Sequence, residues 1–269
     1  MTARVLVTGG ASGLGRALVQ RFRDRGDRVL VGDLATDPSA LVEPLPEGTD
    51  YLHLDVTSQD DWDAALAWVR GTWGGLDILV NNAGVATGGR IDVETIEDWH
   101  RVVDINLLGV VRGCRTFTPL LKEQRSGHIV NIASLAGLVH GPGMSSYNAV
   151  KAGVVALSET LGFELEPWGI ATSVVCPAFF RTNLHSSLRG SDVEMEKTAE
   201  RLITTAAASA DDIAAVVVKG VEAGRRLILT DRLGRRAFWT KRLARPAYDR
   251  IFREGAARLA RRGGLGDGG

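Results

Sequence analysis

The chain has 269 residues, 45% hydrophobic and 24% charged with few prolines, which suits one α/β domain with a sizeable core and excludes disordered and fibrous classes. Its 32 Lys and Arg balance 32 Asp and Glu, yet Arg225 to Arg262 holds 13 basic residues against Asp231, Asp249 and Glu254, so the C-terminal end is strongly basic. Two distant cysteines, Cys114 and Cys176, and five histidines without ligand spacing give no metal site and no disulfide; the short apolar start and the lack of any run of roughly 18 apolar residues make the cytosol the expected compartment.

Strands alternate with helices along the chain. RVLVT from Arg4 breaks at glycine and leads into a helix in which Leu14, Leu18 and Phe22 recur at helical spacing up to Gly26. RVLVGD, ending at Asp33, and YLHLDV, containing Asp55, repeat the strand pattern. A Ser58 cap then opens a helix with Trp62, Leu66, Val69 and Trp73 on one face. After the strand in LDILVNNAG, Thr95 and Asp98 stand at capping-box spacing before a helical stretch through Leu121, with Pro119 expected to bend its end. HIVNIAS, IATSVVCP and RLILT complete seven strands. Their near-continuous Val, Ile and Leu predict a doubly wound parallel sheet buried on both faces, in a single domain.

TGGASGLG, Thr8 to Gly15, lies between the first strand and first helix, where backbone N–H groups and a helix N-terminus can receive a pyrophosphate. Gly9, Gly13 and Gly15 permit the tight turn. Asp33, 18 residues past Gly15, stands near the distance at which a carboxylate holds the adenosine ribose. A carboxylate there accepts bonds from a free 2′-hydroxyl and repels a 2′-phosphate, and no Lys or Arg adjoins it. NAD is therefore expected over NADP, with Arg16 as the one cation that could soften the preference.

SSYNAVKAG, Ser145 to Gly153, carries a second signal. In a helix, Tyr147 and Lys151 share a face one turn apart. Lowering a phenol pKa from about 10 to about 7 takes roughly 4 kcal/mol, and an ammonium about 5 Å away at an effective dielectric of about 20 supplies about 3 kcal/mol. Such a pair can make Tyr147 a general acid or base near neutral pH.

Together TGGASGLG, NNAG at Asn81 to Gly84, SSYNAVK and PAFFRT at Pro177 to Thr182 resemble the short-chain dehydrogenase/reductase family over about Arg4 to Thr182. The resemblance implies a Rossmann fold and hydride transfer between NAD and an alcohol or ketone. It assigns Tyr147 as acid or base, Lys151 to the nicotinamide ribose, Ser134 to the substrate oxygen and Asn106 to a water behind the lysine. It further implies that Asp55 lies near the adenine, that Asn82 and Gly84 line the cofactor and that Thr182 meets the nicotinamide amide, with Ser12, Leu14, Val56, Ala83 and Pro177 in the same lining. Pro177-Ala178 departs from the family's usual Pro-Gly. The end of the chain also lacks the signature of the acyl-carrier ketoreductases.

Residues 1–233 thus form the expected dinucleotide-binding and catalytic domain, with a substrate lid at about 183–208. Leu135, His140, Met144, Phe179, Phe180 and Leu184 are the pocket candidates, His140 read as a surface or rim residue and not a second base, and they favour a small hydrophobic secondary alcohol or ketone, steroid-like or long-chain. Residues 234–262 form a basic amphipathic helical extension in which Tyr248, Ile251, Phe252, Ala256 and Leu259 make an apolar stripe, and 263–269 a disordered tail. The extension could pack on its own domain or a second subunit of a homo-oligomer (dimer or tetramer), lie on an anionic membrane, or bind an acidic partner; nucleic acid is disfavoured, having no aromatic platform to stack on. The alternative to an enzyme is a catalytically silent dinucleotide-binding module that works through this basic helix.

Overall fold

The computed structural model describes residues 2–182, 184 and 187–263, the side chains of 259–263 excepted. Seven parallel strands form one sheet: β1 (Arg4–Thr8), β2 (Arg28–Asp33), β3 (Asp50–His53), β4 (Ile78–Asn81), β5 (Gly127–Ile132), β6 (Ile170–Cys176) and β7 (Leu227–Leu229), in the spatial order β3-β2-β1-β4-β5-β6-β7. Val7 of β1 pairs with Val31 on one side and Val80 on the other. The order reverses between β1 and β4. In open α/β sheets the crevice outside the strand ends at such a reversal is where ligands bind.

Side chains alternate across the pleat. Val5, Val7, Val29, Val31 and Val80 face Leu18 and Phe22 of α1 (Gly13–Asp24) and Ile213 and Val217 of α7 (Ala210–Glu222). Leu6, Leu30, Leu79 and Ile129 face the opposite layer. There they meet Trp62 of α2 (Gln59–Trp68), Phe117 and Leu121 of α4 (Gly109–Gln124), and Val154 of α5 (Ser145–Glu164). Burying each Leu, Val or Phe contributes roughly 1.5–3 kcal/mol, which is why the strands read as unbroken apolar runs.

The predicted caps are present. Asp61 N donates to Ser58 Oγ at 3.2 Å, and Thr95 with Asp98 forms a reciprocal box at the start of α3 (Ile96–Val103). Two stretches read as plain helix contain a π-turn, Val69–Trp73 after α2 and Asp104–Leu108 between α3 and α4. The predicted face is kept: Trp62, Val69 and Trp73 are buried, and the half-buried Leu66 packs against the same core. Pro119 lies within α4, which runs on to Gln124 and stops where Arg125 turns left-handed at φ 52°.

The predicted lid is largely α6 (Val193–Thr204), whose Met195, Ala199 and Ile203 face inward. Asn183, His185 and Ser186 of the predicted lid lie outside the described residues. Asp192 is buried and caps α6 while accepting from Arg90 Nε at 2.7 Å, Nη2 at 3.0 Å and the Arg90 backbone N–H at 3.0 Å. Arg181 holds the other end, donating to the Ala206 and Ala207 carbonyls at 2.6 Å each.

The basic extension is two helices, α8 (Arg232–Leu243) and α9 (Arg245–Gly263), broken near Pro246, which has no N–H to offer a preceding turn. It packs on its own domain: Lys241 Nζ donates to the Leu138 carbonyl at 2.7 Å, and the His140 backbone N–H donates to the Tyr248 hydroxyl at 3.1 Å. The apolar stripe is narrower than expected. Tyr248 is buried and Phe252 half-buried, but Ile251 and Ala256 are exposed: after Phe252 the inward side continues three residues on, at the half-buried Gly255. The Leu259 side chain and residues 264–269 of the predicted tail lie outside the described residues. No helix among the described residues is long and apolar enough to cross a membrane.

His128 of β5 lies 2.8 Å from Ser173 Oγ through Nε2, and burial lowers its pKa to about 4. Its ordinary value is about 6.5, so the unfolded chain binds the extra proton first on acidification. The stability this buried neutral ring represents is complete above pH 6.5 and is lost as pH falls toward 4, by at most about 3 kcal/mol. Thermal melts at pH 7 and pH 5 are expected to show a larger acid-induced drop in wild type than in His128→Gln.

Candidate active site

At the strand-order reversal the ends of β1 and β4 are tied by Thr8, a residue sequence reasoning passed over. Its hydroxyl accepts the backbone N–H groups of Asn82 and Ala83, both at 3.0 Å. Asn82 Nδ2 returns bonds to the Thr8 and Gly9 carbonyls at 2.9 and 3.1 Å. The glycine loop and the NNAG turn are therefore one rigid unit.

The loop opens α1 with no acidic residue in its first turn, and Ser12 at the N-cap makes no side-chain capping bond. The positive end of that helix is thus offered to an anion. Gly13 has φ +52°, and a Cβ there would lie 2.6 Å from Thr182 Oγ1; a Cβ on Gly15 would run into the Gly9 carbonyl. Only glycine leaves this cradle open. Asp33 is joined to the loop, its carboxylate accepting from Ala11 N at 2.9 Å and Leu34 N at 2.8 Å. Asp55 accepts from the Thr57 N–H and hydroxyl, both at 2.8 Å. The glycine cradle, the oriented carboxylate and the unopposed helix end fit a dinucleotide.

Tyr147 and Lys151 stand on successive turns of α5, with the Lys151 ammonium 5.8 Å from the Tyr147 ring centre. Lys151 is only 5% exposed and donates to the Ile132 carbonyl at 3.0 Å. Burial lowers its pKa to about 8, so it remains a cation at neutral pH. Burial raises the Tyr147 phenol above its ordinary value, and the Ser134 hydroxyl opposes that rise. The expected lowering of the phenol is not achieved by the protein groups alone. Desolvation penalises the phenolate more than its neighbours favour it.

Ser134 sits where β5 runs into a short turn, Leu135–Gly137, and its Oγ accepts from Ala136 N at 3.1 Å. Asn106 is fully buried in the π-turn between α3 and α4. Its Oδ1 accepts from Val85 N at 2.8 Å and its Nδ2 donates to Val85 O at 2.9 Å, so its side chain fixes the loop after NNAG.

One cavity of about 630 Å³ gathers nearly all of these residues. Gly9, Ser12, Gly13, Leu14, Gly15, Asp33, Asp55 and Val56 border one half. Asn82, Ala83, Gly84, Ser134, Tyr147, Lys151, Pro177 and Thr182 continue to the other. Asn106 does not border it. Leu135, Met144, Phe179, Phe180 and Leu184 line the apolar end, whereas His140 lies outside, exposed, with Nδ1 3.2 Å from Lys241 Nζ. Sequence reasoning missed Ala199 and Ile203 of α6 and Phe252 of α9 in the same wall. Helical spacing marked Phe252 as buried, but no local signal said against what.

Comparison with known proteins agrees with this geometry. The family model for short chain dehydrogenases matches residues 3–193. A 3-alpha-(or 20-beta)-hydroxysteroid dehydrogenase from Mycobacterium tuberculosis is 36% identical over 178 residues, 66% of this chain and 68% of the relative. A 3-oxoacyl-acyl-carrier-protein reductase from Thermotoga maritima is 35% identical over 187 residues, 68% of this chain and 76% of the relative. Among solved structures, a short-chain dehydrogenase/reductase from Burkholderia phymatum in complex with NAD superposes with a TM-score of 0.77 at 29% identity, covering 85% of this chain and 89% of that one. With a doubly wound sheet, a glycine cradle at its reversal point and a tyrosine and lysine one helical turn apart, the chain belongs to the short-chain dehydrogenases.

Proposed function

We propose that this oxidoreductase transfers hydride between NAD and a hydrophobic secondary alcohol or the corresponding ketone, with Tyr147 as general acid or base. The observation that carries the proposal is the meeting of Ser134, Tyr147 and Lys151 where the glycine-cradle half of the cavity joins its apolar half. A dinucleotide held by the glycine cradle, Asp33 and Lys151 would supply the hydride acceptor or donor and, in its oxidised form, a positive charge that would favour the phenolate.

The protein's own residues handle the oxygen and its proton. Ser134 donates to the substrate oxygen and holds it against Tyr147. In oxidation the Tyr147 oxygen takes the hydroxyl proton; in reduction it gives the proton back. Lys151 favours the phenolate by its charge and offers N–H donors to ribose hydroxyls. Asn106 supports the site from behind by fixing Val85. A silent binding module has no use for this convergence.

Preference for NAD rests on Asp33, oriented by two backbone N–H groups and followed by the exposed Leu34. Arg16 is already committed, its Nε 3.0 Å from Glu43 and its Nη2 donating to the Pro44 carbonyl at 2.9 Å. Among the described residues, no cation remains at this edge to receive a 2′-phosphate. The apolar far end and the hydroxysteroid dehydrogenase relative together support a bulky, largely hydrocarbon substrate.

Following reduced nicotinamide by its near-ultraviolet absorbance across a panel of hydrophobic secondary alcohols, Tyr147→Phe is expected to lower kcat by about 10²–10⁴-fold. Its affinity for NAD should persist. Equal turnover by wild type and variant would overturn the mechanism. In the same assay Asp33→Ser with Leu34→Arg is expected to move the ratio of kcat/KM for NAD over NADP by at least about tenfold toward NADP, since it exchanges a repulsion for an ion pair.

A further inference from the structure

We infer that α9 forms the far wall of the substrate half of the cavity and that Phe252 is a specificity-determining residue that limits the size of the substrate's hydrocarbon body. This rests on the proposed function, which places substrate in that half. The rest of α9 around Phe252 is surface: Ile251 is 61% exposed and the Arg250 side chain 83%. Phe252 alone of these turns inward to border the reaction cavity with Met144 and Phe179.

Its position is held at several points. The Tyr248 and Phe252 rings lie 4.4 Å apart, and the buried Tyr248 accepts a bond from His140 N. Lys241 of α8 fastens to Leu138 O on the same loop. That loop runs directly on from the Ser134 turn, so α9 is registered against the catalytic strand end. A Cβ on Gly141 would sit 3.8 Å from Phe252 Cε1, so the ring lies beside this glycine with room for a methyl group between them. Gly255, three residues along the same helix, borders a second cavity of about 150 Å³ that shares Met144, Phe179 and Ala199 with the first. A Cβ at Gly255 would meet nothing within 4 Å. Shortening Phe252 therefore lengthens the apolar chamber, whereas a side chain at position 255 fills the small cavity that adjoins it across Met144, Phe179 and Ala199, so the two changes act in opposite directions.

The test compares a four-ring hydroxysteroid with cyclohexanol as the ratio of their kcat/KM values. Phe252→Ala is expected to raise that ratio about tenfold and Gly255→Leu to lower it, both mainly through KM for the larger alcohol. The corresponding ketones are also titrated by calorimetry against Tyr147→Phe protein carrying each change. Dissociation constants are then available whether or not turnover occurs. Absence of Tyr147-dependent turnover, with the binding ratio still shifting in opposite directions, defeats the proposed function and keeps the inference. Ratios that stay constant in both variants, equal losses for both ligands, or no binding of either ketone overturn the inference.

Discussion

A buried ammonium organises this molecule. Lys151 lies almost wholly out of water, with one N–H directed at the Ile132 carbonyl at the end of β5. Taking such a charge out of water costs several kcal/mol unless its hydrogen-bonding capacity is met. Burial accordingly draws its pKa down to about 8, while the neighbouring Cys176 thiol, pushed up to about 12 by burial, supplies no anion. The cation is held in place by the sheet and α5, and Lys151 borders the cavity. The same desolvation raises the Tyr147 phenol, a rise the Ser134 hydroxyl opposes.

Behind this cation the core contains a short polar ladder. Asn81 Nδ2 donates to Asn131 Oδ1 at 2.8 Å, and Asn131 Nδ2 to Ser158 Oγ at 3.0 Å, linking β4, β5 and α5 across otherwise apolar layers. Buried amides are tolerated when paired, and pairing them fixes the register of the elements they join. Thr8 performs the same service at the strand ends and Asn106 at the π-turn. The dinucleotide half of the cavity is thus built from short, directional bonds on the sheet.

The apolar half is built differently. Its walls come from segments added to the sheet, α6 held by the Arg90–Asp192 pair and α9 held by Tyr248. Both present apolar side chains to the cavity, Ala199 and Ile203 from α6 and Phe252 from α9. Non-directional apolar contact permits changes of size there without disturbing the bonded half, which is how one fold serves many substrates.

The chain itself carries the local information. Strand runs, the Ser58 and Thr95 caps, the glycine loop, Asp33 and the four-residue spacing of Tyr147 and Lys151 are all short-range patterns, because pleat, helical turn and left-handed φ act over a few residues. Those patterns sufficed for seven parallel strands, and most of the residues they marked border one cavity, although Leu34, Thr57 and Ala86 of the same lining carry no such pattern. Tertiary packing decided the rest. The engagement of Asn106 with Val85, the pairing of His140 with Lys241 and the placing of Phe252 beside Gly141 join residues distant in sequence. A single chain shows how far apart such residues are, but their distance in space is set by how helices cross the sheet, and that depends on the whole core at once.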